Sequence, residues 1–361
     1  MHPRVNNLPP PAPDYRRFIA AIERRNTGRV PPVELAVHGD IVSALLGDEA
    51  AGPLTHGSAG AIAPTIRLLH RLGYDVVKIS AGIPFELSMV TGRDESRLSG
   101  GTRSWQNQQG GCIATAEQCA EYPWPGDDDI DFAPVEAAVG VLPDGMRILG
   151  FCGGVLEYAT YLMGLEGLML ALYDAPDLVH SVVDRVGQVL YRVFERYCAT
   201  EQVAALWLGD DLGSKNGLLV SPAFLRERIL PWYRRYGELA HRNGRPFLLH
   251  SCGRIHDIVP DLVDDVGIDA KHSFEDAIEP VEDFITRWGD RIAVMGGVDV
   301  NLLALGDEAA VRTRVLRILE HAAPTGAYVC GSGNSIPNYV PPANYLAMLE
   351  TLAEFNASRE S

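Results

Sequence analysis

Short apolar runs alternate with amphipathic helical segments along most of the chain. The runs lack the polar–apolar alternation of half-exposed strands, which predicts parallel strands buried on both faces. Helical spacing of apolar residues follows nearly every run, for example over 61–72, 222–242 and 307–321. The eight runs span residues 33–37, 75–80, 147–152, 204–208, 246–250, 268–272, 291–295 and 327–330.

Eight buried strands, each followed by a helix or an excursion, predict an α/β fold, specifically a (β/α)₈ TIM barrel with an N-terminal extension. We expect residues 1–13, which are rich in proline, to form a disordered or extended tail. Residues 14–361 are predicted to form a single barrel domain, with a polar excursion over 85–129. A doubly wound sheet is the alternative, although no Gly-x-Gly-x-x-Gly sequence follows the first run.

Composition narrows the classes of function. The 361 residues include 31 Lys+Arg and 47 Asp+Glu, a formal net charge of −16. This acidic balance argues against a nucleic-acid partner, because phosphate binding needs clustered basic residues. No apolar run approaches the roughly 20 residues that cross a bilayer, and the N-terminus lacks the apolar region of a secretory signal. We therefore expect a cytoplasmic protein with neither a nucleic-acid partner nor a membrane partner.

The ends of the predicted strands carry the candidate chemistry, since barrel active sites lie at the C-terminal strand ends. His250 and Cys252 are two residues apart, so both side chains face the same side of a continuing strand. A thiolate and an imidazole in one opening suit zinc. Cys330, at the end of another run, is a candidate third ligand across the barrel mouth. The alternative is two buried cysteines and a hydrogen-bonded core histidine.

Carboxylates follow two further strands. Glu275 is the best placed candidate for a fourth zinc ligand, and Asp210 and Asp211 are alternatives. All three are candidate catalytic residues, although one of the aspartates could instead cap the helix that follows or pair with an arginine. His38 and His272 also lie at strand ends, where they could orient the ligands or be ordinary strand-end histidines.

Four segments resemble the uroporphyrinogen decarboxylase superfamily, and within it the zinc-dependent, corrinoid-linked methyltransferase branch. They are Gly-Asp-Asp-Leu-Gly at 209–213, Leu-His-Ser-Cys-Gly at 249–253, Met-Gly-Gly-Val-Asp at 295–299, and Cys-Gly-Ser-Gly-Asn-Ser-Ile-Pro at 330–337. The resemblance implies a TIM barrel in which His250, Cys252 and Cys330 bind zinc. A similar zinc set in cobalamin-independent methionine synthase supports Glu275 as a fourth ligand.

The branch includes coenzyme M methyltransferases and O-demethylases. The resemblance thus implies methyl transfer between a small methylated ether, amine or thiol and a corrinoid protein or thiol acceptor. The chain lacks the Asp-x-His-x-x-Gly pattern of a cobalamin-binding module, so we expect cobalamin to be carried by a separate partner protein. The superfamily resemblance is also compatible with a homodimer.

True decarboxylases are a weaker match. Their N-terminal segment supplies arginines for substrate carboxylates, whereas residues 33–39 here contain none. Their catalytic aspartate follows the second strand, where this chain has Lys78, and they lack the His-x-Cys pair. The sequence leaves two alternatives to methyl transfer. They are a uroporphyrinogen decarboxylase-type decarboxylase and a non-catalytic corrinoid- or tetrapyrrole-binding barrel.

Overall fold

A computed structural model describes residues 1–50, 59–94, 101–106 and 110–360. Its central sheet has seven parallel strands, and each strand pairs with its neighbours in chain order. The sheet curls and carries helices on its outer side, so the α/β barrel prediction is confirmed. The strands are β1 (Val76–Ser80), β2 (Arg147–Gly153), β3 (Val203–Gly209), β4 (Phe247–His250), β5 (Ala270–His272), β6 (Ala293–Met295) and β7 (Tyr328–Val329).

Helices follow the strands as the apolar spacing predicts, and most of them are amphipathic. The longest, Pro176–Ala199, buries one face and exposes the other. In the described ranges, the α-helices of four or more residues are Tyr15–Ile22, Gly39–Leu46, Ile62–Arg71, Ala116–Glu121, Ala133–Val141, Val155–Met163, Leu165–Asp174, Pro176–Ala199, Leu230–Arg242, Val281–Trp288, Val300–Leu305, Glu308–Ala322 and Pro342–Glu360.

Alternation along each strand separates two apolar layers. Leu149, Trp207, Leu248 and Met295 belong to a compact cluster inside the barrel. The residues between them belong to the larger cluster shared with the surrounding helices. A side chain at a strand end therefore faces the barrel mouth or the helical layer according to its position in this alternation.

The first predicted strand, 33–37, forms two isolated parallel bridges rather than a continuous strand. Pro32 bridges Cys330 and Val37 bridges Ile336, with Val33 N–H donating to the Cys330 carbonyl at 2.8 Å. Prolines at 31 and 32 supply no N–H group, which limits the pairing. Within the described part of the chain, no backbone hydrogen bond joins 31–37 to β1, so the barrel is open on this side.

The N-terminal residues pack against the barrel. Phe18 of the helix Tyr15–Ile22 is buried in the inner cluster and closes one end of it. Pro3–Asn7 form a 3₁₀-helix rather than an extended segment, because Val5 is buried in the outer cluster and Arg4 is paired with Glu350 at 2.8 Å.

The predicted excursion contains an antiparallel hairpin of Met89–Asp94 with Gly101–Gln106, and then the helix Ala116–Glu121. Among the described residues, no single helix is long and apolar enough to span a membrane. Val155–Met163 and Leu165–Asp174 meet the length and composition limits only as a pair, and the pair is bent by 95°.

Candidate metal centre

Three metal-ligating side chains meet at the mouth of the barrel. His250 ends β4, Cys252 lies two residues beyond it, and Asp211 follows the neighbouring strand β3. The Cys252 Sγ lies 3.5 Å from the His250 Nε2, and the Asp211 Oδ1 lies 3.8 Å from the same nitrogen. One donor atom from each residue fits within 4.8 Å of the other two. This spacing can enclose a single metal ion.

A chain of hydrogen bonds fixes the orientation of His250. Its Nδ1 lies 2.7 Å from the Nδ1 of His272, and the His272 Nε2 lies 3.2 Å from the Ser332 carbonyl. The carbonyl can only accept, so the His272 Nε2 carries a proton and the neutral His272 Nδ1 accepts. His250 then donates from Nδ1, which leaves its Nε2 lone pair directed toward Cys252. This is the tautomer that a metal ligand requires.

Burial favours the neutral form of both rings. It holds the pKa of His250 well below its ordinary value, and the positive charges of Lys271 and Lys78 lower that pKa further. Burial also lowers the pKa of His272 to about 3. The Cys252 thiol has a raised pKa, first because it is buried and second because Asp211 is nearby. A cation bound among these groups would favour the thiolate.

The sulfur of Cys252 has further polar neighbours. The side-chain amide of Asn334 donates to Sγ at 3.3 Å, and the Ser273 Oγ lies 4.0 Å away. The backbone N–H of Cys252 itself donates to Asp211 Oδ1 at 3.1 Å. Gly253 has a φ of 79°, and a Cβ there would lie 2.3 Å from the backbone of Gly213. A glycine is therefore needed for the tight turn that places Cys252.

Cys330 does not join this group, contrary to the sequence-based expectation. The inner cluster contains Ala327 and Val329, whereas Tyr328 and Cys330 belong to the outer cluster. Cys330 thus faces the helical layer, near Glu34. Cys330 lies at the predicted strand end, but side chains alternate along the strand, and position 330 is one that faces away from the barrel mouth.

Asp210 and Asp211 have different surroundings although they are adjacent. Asp210 is fully buried and accepts hydrogen bonds from the N–H groups of Leu156 and Glu157 and from the Tyr233 hydroxyl, at 2.9, 2.8 and 2.6 Å. It thereby caps the helix Val155–Met163, which precedes it in the chain, rather than the helix that follows it. Asp211, whose side chain is 49% exposed, belongs to the metal-ligating group.

Glu275 lies close to this centre but outside the group of three donors. Its charge contributes to the raised pKa of Cys252, and its side chain lines a small cavity beside Lys271. His38 instead caps the helix Gly39–Leu46, accepting the Asp40 N–H at 3.2 Å. Asn334 was not predicted, although its position in the loop after the last strand is a signal that could have identified it.

Comparison with known proteins places the chain in a family. The family model for uroporphyrinogen decarboxylase (URO-D) matches residues 113–355. The chain belongs to the URO-D family. It is 26% identical over 262 residues to uroporphyrinogen decarboxylase from Chromohalobacter salexigens, covering 68% of this chain and 70% of that protein. It is 27% identical over 259 residues to the Gloeobacter violaceus enzyme, covering 66% and 69%.

This URO-D family member also shares its fold with a methyltransferase from Methanosarcina mazei. The two structures align with a TM-score of 0.68 over 94% of this chain and 98% of the other, at 17% sequence identity. The superfamily resemblance is thus confirmed, and the fold is one that a methyltransferase uses.

Proposed function

We propose that the protein is a zinc-dependent methyltransferase. It would move a methyl group between a small methylated ether, amine or thiol and a corrinoid protein or thiol acceptor. The observation that carries this proposal is the group formed by Asp211, His250 and Cys252 at the barrel mouth. The fold shared with the Methanosarcina methyltransferase supports it.

The donor set fits zinc. It combines one soft sulfur, one imidazole nitrogen and one carboxylate oxygen, which are ligand types that zinc accepts together. Three protein ligands leave one position for a substrate atom, as in catalytic zinc sites. Zinc bound here would supply Lewis acidity, which stabilises a thiolate nucleophile or a departing alkoxide.

Neighbouring residues favour the form of each donor atom that binds a metal. His272 keeps the lone pair of the His250 Nε2 available, and the Asn334 amide stabilises negative charge on the Cys252 sulfur. Asp211 is the most exposed of the three donors, so it lies on the side from which a substrate atom would reach the remaining position. Cobalamin would arrive on a separate corrinoid protein that docks over this mouth.

Zinc content is the test of this proposal. We expect about one zinc per chain in the wild type, retained in Cys330→Ala and in Cys112→Ala, a control that changes an exposed cysteine. Cys252→Ala should lose the metal together with methyl transfer to a corrinoid acceptor. A wild-type protein free of zinc under thiol-protecting conditions, or a fully active Cys252→Ala, would refute the proposal.

Decarboxylation is the second candidate, favoured by the uroporphyrinogen decarboxylases to which the chain is similar. Consumption of uroporphyrinogen by the purified protein, at a rate unaffected by Cys252→Ala, would support it over methyl transfer. The donor group then has no part in the reaction.

A further inference from the structure

A cavity of about 270 Å³ lies on the open side of the barrel, between residues 34–37 and β1. Most of its wall is apolar, including Ile62, Leu69 and Ile79. Among the described residues that line it, Lys78 and Glu34 are the two ionisable ones. An apolar cavity with a few polar groups is the usual form of a small-molecule site.

Lys78 is one of only three lysines in the chain, and it has no polar partner among the described residues. Its Nζ lies 4.4 Å from the centroid of the Phe151 ring, which covers one side of the ammonium. By contrast, the Lys271 Nζ donates to the Ser273 carbonyl at 2.5 Å, and Lys215 is exposed. Burial lowers the pKa of Lys78 to about 8, so the amine is still mostly protonated at neutral pH. A buried cation without a counter-ion is costly, so it favours an anionic ligand.

Glu34 does not serve as that counter-ion. Its Oε1 accepts the Ser332 N–H at 2.9 Å, and its Oε2 accepts the Ser332 hydroxyl. Burial raises the pKa of Glu34 to about 8, so this carboxyl is mostly protonated at neutral pH. It therefore does not repel an anion from the cavity.

A layer of side chains connects Lys78 to the metal centre across the barrel. The Phe151 ring packs edge-on against Trp207 with 5.9 Å between centroids, and Trp207 packs against His272 at 5.4 Å. His272 is bonded to His250.

We infer that Lys78 binds the carboxylate of a small, largely apolar ligand whose body occupies this cavity. The assignment of this ligand as the methyl-bearing substrate rests on the proposed function. Binding of a carboxylate in the cavity does not. A carboxylate pairing with an otherwise unpaired ammonium gains a charge-assisted hydrogen bond that a neutral amide of the same shape cannot match.

Benzoate and its neutral analogue benzamide are suitable probes, measured by calorimetry on the zinc-loaded full chain. We expect wild-type protein to bind benzoate about tenfold or more tightly than benzamide. Lys78→Met should abolish this preference, Lys78→Arg should retain it, and the control Lys215→Met should leave it unchanged. Equal binding of the two probes by wild type, no binding of either, or a preference that survives Lys78→Met would overturn the assignment.

Metal-depleted protein separates this inference from the proposed function. A benzoate preference that persists without zinc and is lost in Lys78→Met supports the Lys78 site even if the methyltransferase proposal fails. A preference lost on zinc removal but kept in Lys78→Met means that the carboxylate binds the metal, and the Lys78 site is then refuted.

Discussion

Replacing His272 by leucine tests the hydrogen-bond chain that fixes the His250 tautomer. The change removes the acceptor 2.7 Å from the His250 Nδ1 in a site where His250 is only 6% exposed. Either that N–H remains buried without a partner, at a cost of about 1–3 kcal/mol, or the proton moves to Nε2 and blocks the ligand atom. At about 1.4 kcal/mol per factor of ten, zinc affinity should fall roughly 10- to 100-fold.

The measurement is a competition titration of zinc against a fluorescent chelator at neutral pH. His272→Asn places an amide oxygen where it can accept the His250 proton, so it should recover most of the affinity. The control His321→Leu removes an exposed histidine of the helix Glu308–Ala322 and should leave the zinc affinity unchanged. Zinc binding by His272→Leu at wild-type strength, or an equal loss in His272→Asn, would refute the role of the chain in orienting His250.

Two further predictions concern carboxyl groups. Asp210→Ala removes three hydrogen bonds and should lower the free energy of unfolding by roughly 2–4 kcal/mol while zinc stoichiometry stays unchanged. Asp211→Ala should instead lose zinc with little change in the free energy of unfolding. Urea denaturation and zinc analysis of both variants decide this, and zinc loss in Asp210→Ala with unchanged stability would contradict it. The pKa of Glu34 is raised from 4.5 to about 8 by burial, so the folded state holds a proton that the unfolded state releases, and this contribution to stability is lost as pH rises. Wild type should therefore lose roughly 1.4 kcal/mol per pH unit relative to Glu34→Gln between about pH 5 and 8, and an unchanged difference in urea midpoints would exclude this.

Much of the fold follows from periodicity alone. Runs of apolar residues without alternation can be buried only between two layers, and helical spacing after each run predicts the outer layer. Seven of the eight predicted runs form strands at nearly the predicted residues. The remaining run, 33–37, which is the first in the chain, forms only isolated bridges. Prolines at 31 and 32 lack the N–H groups that a continuous strand pairing needs.

The pairing of His250 with Cys252 could be predicted because it depends on a spacing of two within one segment. The partners of that pair could not, since they come from different strands. Asp211 lies beside His250 because Gly209 pairs with His250 in the parallel register of β3 and β4. His272 faces His250 because these residues are direct neighbours in β4 and β5.

The sequence by itself determined the barrel class, the strand ends at which chemistry collects, and the His250–Cys252 pair. Tertiary structure alone decided which other residues reach that pair. Cys330 stands at a strand end as predicted, but the inner positions of that strand are 327 and 329, so its side chain faces the helices. The structure likewise shows that Lys78 has no counter-ion among the described residues, which sequence distance cannot specify because a counter-ion is a spatial neighbour.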